Sequence, residues 1–221
     1  MVEIKIKTAN RSNYGGKRNI ADIKYIVIHY TANDGDTDEG NGNYFANNIV
    51  GASAHYFVDD DSITRSVPDD YIAWAVGGNK YKYTKGAAFF GKCTNADSIS
   101  VEMCDTKKNG VYDFTEATIK NATDLTKLLM KKYNVPVERV IRHYDVTGKV
   151  CPKPFVDDEK AWETFKERLA DNMEKRYNKI SELPTWAKPT IQKLVDSGKI
   201  ADGNKLDMSE DMLRVLVILN R

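Results

Sequence analysis

The stretch IKYIVIHY (23–30) decides the fold class, because it is a short, β-branched apolar run of the kind that forms a strand buried on both faces. Two further strands are predicted at AHYFV (54–58) and DSISVEMC (97–104). Helical periodicity begins at residue 116, and a second amphipathic helix is predicted over residues 157–175. An acidic, glycine-containing loop is expected at residues 33–43. This order of elements predicts a mixed α/β fold.

Composition and charge narrow the classes of partner. The 221 residues are 41% hydrophobic and 29% charged, which is typical of a globular protein rather than a disordered one. A formal net charge of +1 argues against nucleic-acid binding, which relies on neutralising phosphates. No stretch approaches the roughly 20 apolar residues that cross a bilayer, so no membrane insertion is expected. Residues 1–16 show no hydrophobic signal core, which predicts a cytoplasmic protein until its release.

The chain is predicted to divide near residue 176, into a main domain (1–176) and a small helical module (177–221). The amphipathic pattern breaks at residues 176–184, and two short helices are expected after it. A module of about 40 residues is below the size that usually builds its own core. It is therefore expected to pack on the main domain, on another chain or on a partner.

Three histidines and three cysteines supply the candidate metal ligands. His29 ends the first predicted strand, and His143 precedes Cys151 by eight residues. This spacing is a weak signal without a CxxC or HxxxH pair, and hydrogen-bonded core histidines beside a buried thiol would explain it equally well. Two imidazoles and one thiolate would leave the fourth tetrahedral position of zinc open, as in catalytic zinc sites.

Glu102 and Lys149 are the candidates for proton transfer and for binding an oxyanion. The apolar residues of the strand around residue 100 alternate with polar ones, so Glu102 faces the side opposite to them. A carboxylate there could act as a general base, although a solvated strand face would show the same alternation. Lys149 lies two residues before Cys151 and could donate to an oxyanion, or it could be one more surface lysine.

Four segments occur in a characteristic order: VIHYTA (27–32), SAHYFV (53–58), SVEMCD (100–105) and RHYDVTGKVCP (142–152). Together they resemble the zinc-dependent N-acetylmuramoyl-L-alanine amidases of the peptidoglycan-recognition-protein fold, many of which are phage endolysins or bacterial autolysins. The resemblance covers about residues 20–170. It implies a central, mostly parallel mixed β-sheet flanked by helices, with zinc in a surface groove.

The resemblance also implies roles for individual residues. The zinc ligands would be His29, His143 and Cys151, and the catalytic residues would be Glu102 and Lys149. On the substrate side it suggests Trp74, Tyr30 and His55, with a structural role as the alternative for His55. Ala54 stands where many members carry a tyrosine, which leaves Glu102 as the expected carrier of the proton.

Hydrolysis of the amide bond between N-acetylmuramic acid and L-alanine in bacterial peptidoglycan is the activity that the resemblance implies, as an endolysin that lyses its host. Non-catalytic recognition proteins of this fold typically lose the third ligand, whereas Cys151 is present. Two alternatives stay open. One is a non-hydrolytic peptidoglycan-binding or regulatory protein, and the other is an endopeptidase that cuts within the stem peptide.

Two further segments have open interpretations. The insertion NKYKYTKGAAFFGKCTN (79–95) could line a groove, with aromatic faces against sugar rings and lysines against stem-peptide carboxylates, or it could be an ordinary surface loop. The segment LPTWAKPTIQKLVDSGKIADG (183–203) loosely resembles part of an S-layer-homology motif, which suggests wall binding. Packing or homodimerisation of the module is the alternative, through an apolar stripe of Leu213, Leu216, Val217 and Ile218.

Overall fold

The computed structural model describes residues 2–170 and 176–220, which form two compact units that divide after Ala170. Arg176, placed by the sequence at the end of the main domain, pairs with Ser209 in a small antiparallel sheet of the second unit. The domain boundary therefore lies before residue 176. Part of the predicted helix 157–175 falls on residues 171–175, which lie outside the described residues.

The strands of the first unit are short, and the longest have six residues. They are β1 (Ile4–Ile6), β2 (Tyr14–Lys17), β3 (Tyr25–Tyr30), β4 (Tyr56–Val58), β5 (Ile63–Arg65), β6 (Tyr71–Ala73), β7 (Ser98–Met103), β8 (Thr106–Lys108), β9 (Val111–Asp113) and β10 (Val140–Arg142). The helices are α1 (Asp38–Asn47), α2 (Glu116–Tyr133), α3 (His143–Thr147), α4 (Lys153–Asp157) and α5 (Glu159–Ala170).

Six strands form the central sheet, in the order β1-β5-β4-β7-β3-β10. Every neighbouring pair is parallel except β4 and β5, which run antiparallel. The predicted α/β class with a mostly parallel mixed sheet is therefore confirmed. Strand β3 lies at the interior of the sheet between β7 and β10, which explains why its sequence is apolar on both faces.

The two faces of the sheet are covered differently. On one face Ile26 and Ile28 pack with Leu125 of α2 and Phe165 of α5 in the main core. On the other face Val27 joins a smaller cluster with residues of the segments around 76, 93 and 141–146. Because side chains alternate along a strand, the residue that follows Ile28 points to this second face. That residue is His29, so its imidazole lies on the face of the sheet that carries the smaller hydrophobic cluster.

Two predicted elements differ from the structure. The acidic segment 33–43 is not wholly a loop, because α1 begins at Asp38, where the Thr37 hydroxyl accepts a hydrogen bond from the Gly40 backbone N–H. The predicted helix 157–175 is interrupted at Asp158, which separates α4 from α5.

The second unit has a hydrophobic core of its own. Its elements are β11 (Arg176–Tyr177), α6 (Lys188–Asp196), β12 (Met208–Ser209) and α7 (Glu210–Leu219). The core contains Ile191 and Leu194 of α6 and Leu213 of α7. Leu216 and Val217 pack partly against it, whereas Ile218 is 64% exposed. The predicted dimerisation stripe therefore needs correction, because most of it is used inside the unit. No helix among the described residues is long and apolar enough to cross a membrane.

Candidate active site

The carboxyl ends of three neighbouring strands bring the candidate ligands together. His29 of β3 is directly opposite Glu102 of β7 in the parallel register. On the other side of β3, strand β10 ends at Arg142, and the next residue, His143, begins α3. The chain then turns back after α3 and places Cys151 beside His29. The carboxyl edge of a parallel sheet is where α/β proteins commonly place functional groups.

The three predicted metal ligands converge on one point. The ligand atoms of His29, His143 and Cys151 all lie within 4.8 Å of one another, and all three side chains are buried. Cys151 Sγ is 3.8 Å from His29 Nδ1, and Glu102 Oε1 is 3.7 Å from the same nitrogen. The structure thus holds a candidate metal site of two imidazoles and one thiol, with a carboxylate at its edge.

Several polar atoms at this site have no hydrogen-bond partner within the described part of the chain. They are His29 Nε2, His143 Nδ1 and Glu102 Oε2, all of them buried. Buried polar atoms are normally satisfied, because leaving one unpaired costs the desolvation free energy of that group. A cation bound by His29 Nδ1, Cys151 Sγ and His143 Nδ1 would supply the partner that His143 Nδ1 lacks, so the donor set fits a metal ion.

Burial keeps the metal-free site uncharged. It lowers the pKa of His143 to about 4 and that of His29 well below its usual value, with Lys149 also lowering both. Burial raises the pKa of the Cys151 thiol, and it raises the pKa of Glu102 to about 8 even though Lys149 opposes the change. Neutral imidazoles are ready to bind a cation, and the charge of that cation would favour ionisation of the thiol and the carboxyl group.

Lys149 lies on the exposed side of the site. Its side chain lines a cavity of about 480 Å³ together with His143 and the segment from Gly77 to Tyr81. No residue that lines this cavity is acidic. The positive charge of Lys149 lowers the pKa values of all three candidate ligands and of Glu102, and its role on an oxyanion stays a prediction.

The predicted substrate-side residues have different surroundings. Trp74 is 38% exposed and lines a second cavity of about 440 Å³, which shares Gly77, Gly78 and Thr147 with the first. Tyr30 points to the other face of the sheet, where its ring packs edge-on against Tyr112. The backbone of Tyr30, rather than its ring, reaches the metal site through a hydrogen bond to Cys151.

His55 does not line either cavity. Its ring is 1% exposed, Arg18 Nη2 lies 2.8 Å from its Nε2, and the backbone N–H of Ser100 donates to its Nδ1 at 3.0 Å. The Tyr71 carbonyl oxygen, 3.2 Å from Nε2, can accept the single ring proton of the neutral imidazole, and burial lowers the pKa of the ring to about 3. This placement corresponds to the structural alternative and leaves no ring atom for a substrate.

Two features of the site have no signal in the sequence. Arg18 reaches across the unit to His55 and to the carbonyl oxygen of Ser98. The insertion 79–95 is held on α3 by backbone hydrogen bonds, with Tyr81 donating to Thr147 O. No periodicity or motif links these distant segments. Only the folded chain shows that the insertion is hydrogen-bonded to the helix that begins with His143.

Together, the fold and the site define a class of α/β protein with a candidate metal site at the carboxyl edge of a mostly parallel sheet. Residues 19–154 match the family model for N-acetylmuramoyl-L-alanine amidase, and these residues are more than half of the chain. The chain therefore belongs to the N-acetylmuramoyl-L-alanine amidase family.

Individual relatives agree with this assignment. The chain is 35% identical over 155 residues to the N-acetylmuramoyl-L-alanine amidase CwlL of Bacillus licheniformis, a match that covers 68% of this chain and 41% of the relative. It is 33% identical over 170 residues to a probable N-acetylmuramoyl-L-alanine amidase of the same species, covering 75% of this chain and 46% of the relative. The structure of PlyL superposes with a TM-score of 0.60 at 32% identity, covering 76% of this chain and 97% of that one.

The matched region is only a part of the curated relatives. The chain spans less than half the length of the two Bacillus licheniformis proteins. The PlyL structure, in contrast, is matched over almost its whole length. What the relatives share with this chain is therefore the unit that carries the metal site.

Proposed function

We propose that this chain is a zinc-dependent amidase that hydrolyses the bond between N-acetylmuramic acid and L-alanine in bacterial peptidoglycan, acting on the cell wall as an endolysin. The observation that carries the proposal is the convergence of His29, His143 and Cys151 beside Glu102 in a member of the amidase family. The site has three ligands rather than four, which is the arrangement of catalytic zinc sites.

The ligand spacing suits zinc. A tetrahedral zinc ion with ordinary Zn–N and Zn–S bonds places its nitrogen and sulfur ligands about 3.6 Å apart. Cys151 Sγ and His29 Nδ1 are separated by 3.8 Å. Imidazole and thiolate ligands favour zinc over the hard cations calcium and magnesium, which prefer oxygen ligands. Zinc bound here would polarise the scissile carbonyl group and lower the pKa of a water molecule.

The residues of the chain would handle the protons and the developing charge. Glu102 reaches the ligand cluster through Oε1. Its Oε2 has no hydrogen-bond partner among the described residues, and it could accept a proton from water. Having accepted it, the carboxyl group can pass this proton to the leaving amine of L-alanine. Lys149, on the wall of the adjoining cavity, would donate to the oxyanion of the tetrahedral intermediate.

Specificity for the bond can be tested by the chemistry of the products. Purified peptidoglycan is digested with the wild-type protein, and the soluble products are analysed by mass spectrometry. The proposal predicts free stem peptides that begin with L-alanine, and intact glycan strands carrying lactyl carboxylates. Peptides that begin at a later residue would instead identify a stem-peptide endopeptidase. An intact wall that still binds the protein would identify a non-hydrolytic binding protein.

For the second unit, we propose binding to the bacterial wall. The unit has a hydrophobic core of its own. Trp186 is exposed within it, and an exposed aromatic ring is suited to contact with sugars. Homodimerisation is the second candidate, because α7 leaves Met212, Val215 and Leu219 exposed. Deleting residues 171–221 separates the two: loss of wall binding by a monomeric protein supports the first, and loss of a dimer supports the second.

A further inference from the structure

The cavity beside the metal site has the character of an anion-binding pocket. It has a volume of about 480 Å³, and its wall includes His143, Asn79, Lys80 and Lys149. Both lysines are exposed, and neither forms an ion pair with a described residue. The lining thus carries two cationic groups and an amide, and none of the described residues that line it is acidic.

The pocket is held in place from the side of the insertion. The backbone N–H of Tyr81, the residue after Lys80, donates to Thr147 O at 2.8 Å. Further along, the Ala87 N–H donates to Tyr144 O at 2.9 Å. Gly86 allows this close approach, since a Cβ atom there would lie 2.4 Å from Tyr144 O. These contacts fix the insertion on α3, so the backbone that carries Lys80 is positioned relative to His143.

The chemistry of the substrate indicates which anion would enter. This step rests on the proposed function, in which the scissile amide joins the lactyl group to L-alanine. The first ionisable group on the peptide side is then the α-carboxyl group of the second stem residue, a D-glutamate linked through its side chain. At most about 3.6 Å of chain separates consecutive residues, so this carboxylate stays within about 7 Å of the cleaved bond. That distance fits a pocket that also contains a metal ligand.

We propose that Lys80 is a specificity-determining residue that binds the free α-carboxylate of this D-isoglutamate, and that the enzyme prefers it to the amidated form, D-isoglutamine. Amidation replaces the carboxylate with a neutral group of similar shape, which loses the attraction of Lys80. Lys149 also acts on the oxyanion, so the difference between the two substrates is assigned to Lys80. The preference should therefore disappear when Lys80 alone is neutralised.

The test uses two synthetic disaccharide-pentapeptides that differ only in D-isoglutamate or D-isoglutamine at the second position. The wild-type protein should show a kcat/KM about three- to fivefold higher for the carboxylate substrate, the range expected for an exposed ion pair. K80Q should bring this ratio close to one. K82Q is the matched control, because Lys82 lies on the same insertion but outside the cavity wall, and it should keep the wild-type ratio.

Salt gives an independent readout. Raising the salt concentration from about 0.05 M to about 0.5 M shortens the Debye length from roughly 14 Å to roughly 4 Å, so the wild-type preference should shrink while K80Q changes little. Neither synthetic substrate carries a phosphate group. Attraction between the lysines and the phosphate groups of other wall polymers therefore cannot produce a preference between the two substrates.

Each other outcome has a distinct meaning. Equal hydrolysis of both substrates by the wild-type protein, or a preference that K80Q retains, would overturn the assignment of Lys80 and leave the amidase proposal standing. If K82Q lowers the ratio of the two kcat/KM values as much as K80Q does, the assignment of Lys80 is also overturned. A general effect of the charge on the insertion would then explain the preference. Hydrolysis of neither substrate by the zinc-loaded protein would contradict the proposed function itself.

Discussion

Replacing His55 with glutamine should remove much of the acid sensitivity of the first unit. The ring is buried, its Nδ1 accepts a hydrogen bond from the Ser100 backbone N–H, and Arg18 lies 2.8 Å from its Nε2. A second ring proton would break the Ser100 hydrogen bond and place a second positive charge beside Arg18. Burial, reinforced by the Arg18 charge, lowers the pKa to about 3, against about 6.5 for an exposed histidine. Above pH 6.5 the ring is neutral in both states, and as the pH falls from 6.5 towards 3 only the unfolded chain gains the proton.

The size of the effect follows from the two pKa values. Between pH 7 and pH 5, His55 alone should lower the free energy of unfolding by about 2 kcal/mol. Urea unfolding of the metal-free wild-type protein and of H55Q at several pH values gives the free energy of unfolding as a function of pH for each protein. The difference between these two pH dependences is the contribution of His55. His29 and His143 are present in both proteins, so their contributions cancel. A lower stability of H55Q at pH 7 leaves the test unaffected, because the test compares changes with pH. Parallel pH profiles for the two proteins would refute this account of His55.

Three further variants test other parts of the structure. C151S removes a ligand and should weaken zinc binding by at least about a hundredfold, with a larger loss of activity than K149A; unchanged zinc content and activity would disprove the ligand assignment. E102Q should keep the zinc content and lower kcat by about 100- to 10,000-fold, whereas a kcat close to wild type would mean that another group carries the proton. G148A should be destabilised by about 1–3 kcal/mol in thermal unfolding, because φ is +83° and a Cβ atom would meet the Thr84 side chain at 2.4 Å. G110A is its control, with φ of +80° but open space, and an equal loss in both would show that the Thr84 contact costs nothing.

The sequence was most informative where a local pattern determines the structure. Strand β3 is apolar on both faces because it lies inside the sheet, and the alternation in β7 correctly separates Glu102 from the core. Helix α1 escaped prediction because its sequence, with Gly40 and Gly42 among polar residues, has neither high propensity nor a clear apolar stripe. Its Asp38 is instead held by hydrogen bonds from Ser62 and Thr64, contacts that no local pattern encodes.

In the candidate site, too, some features follow from local sequence patterns and others depend on contacts between distant segments. The predicted ligands His29, His143 and Cys151 do come together. His29 lies near the end of β3 and His143 directly follows β10, and the carboxyl ends of these adjacent parallel strands share one edge of the sheet. The surroundings of His55 depended on Arg18, which is 37 residues away in the sequence. The cavity wall likewise depends on the docking of an insertion whose own sequence allowed either a groove or an ordinary loop.

Titrating the metal-free protein with zinc while measuring release of stem peptides tests the central claim most directly. The account predicts that activity is absent without metal, rises in proportion to bound zinc and reaches its maximum at one zinc ion per chain. In C151S the same titration should give neither tight binding nor activity. Full activity of chelator-treated protein that contains no metal would contradict the account, and so would tight stoichiometric zinc binding that leaves C151S and wild type equally active.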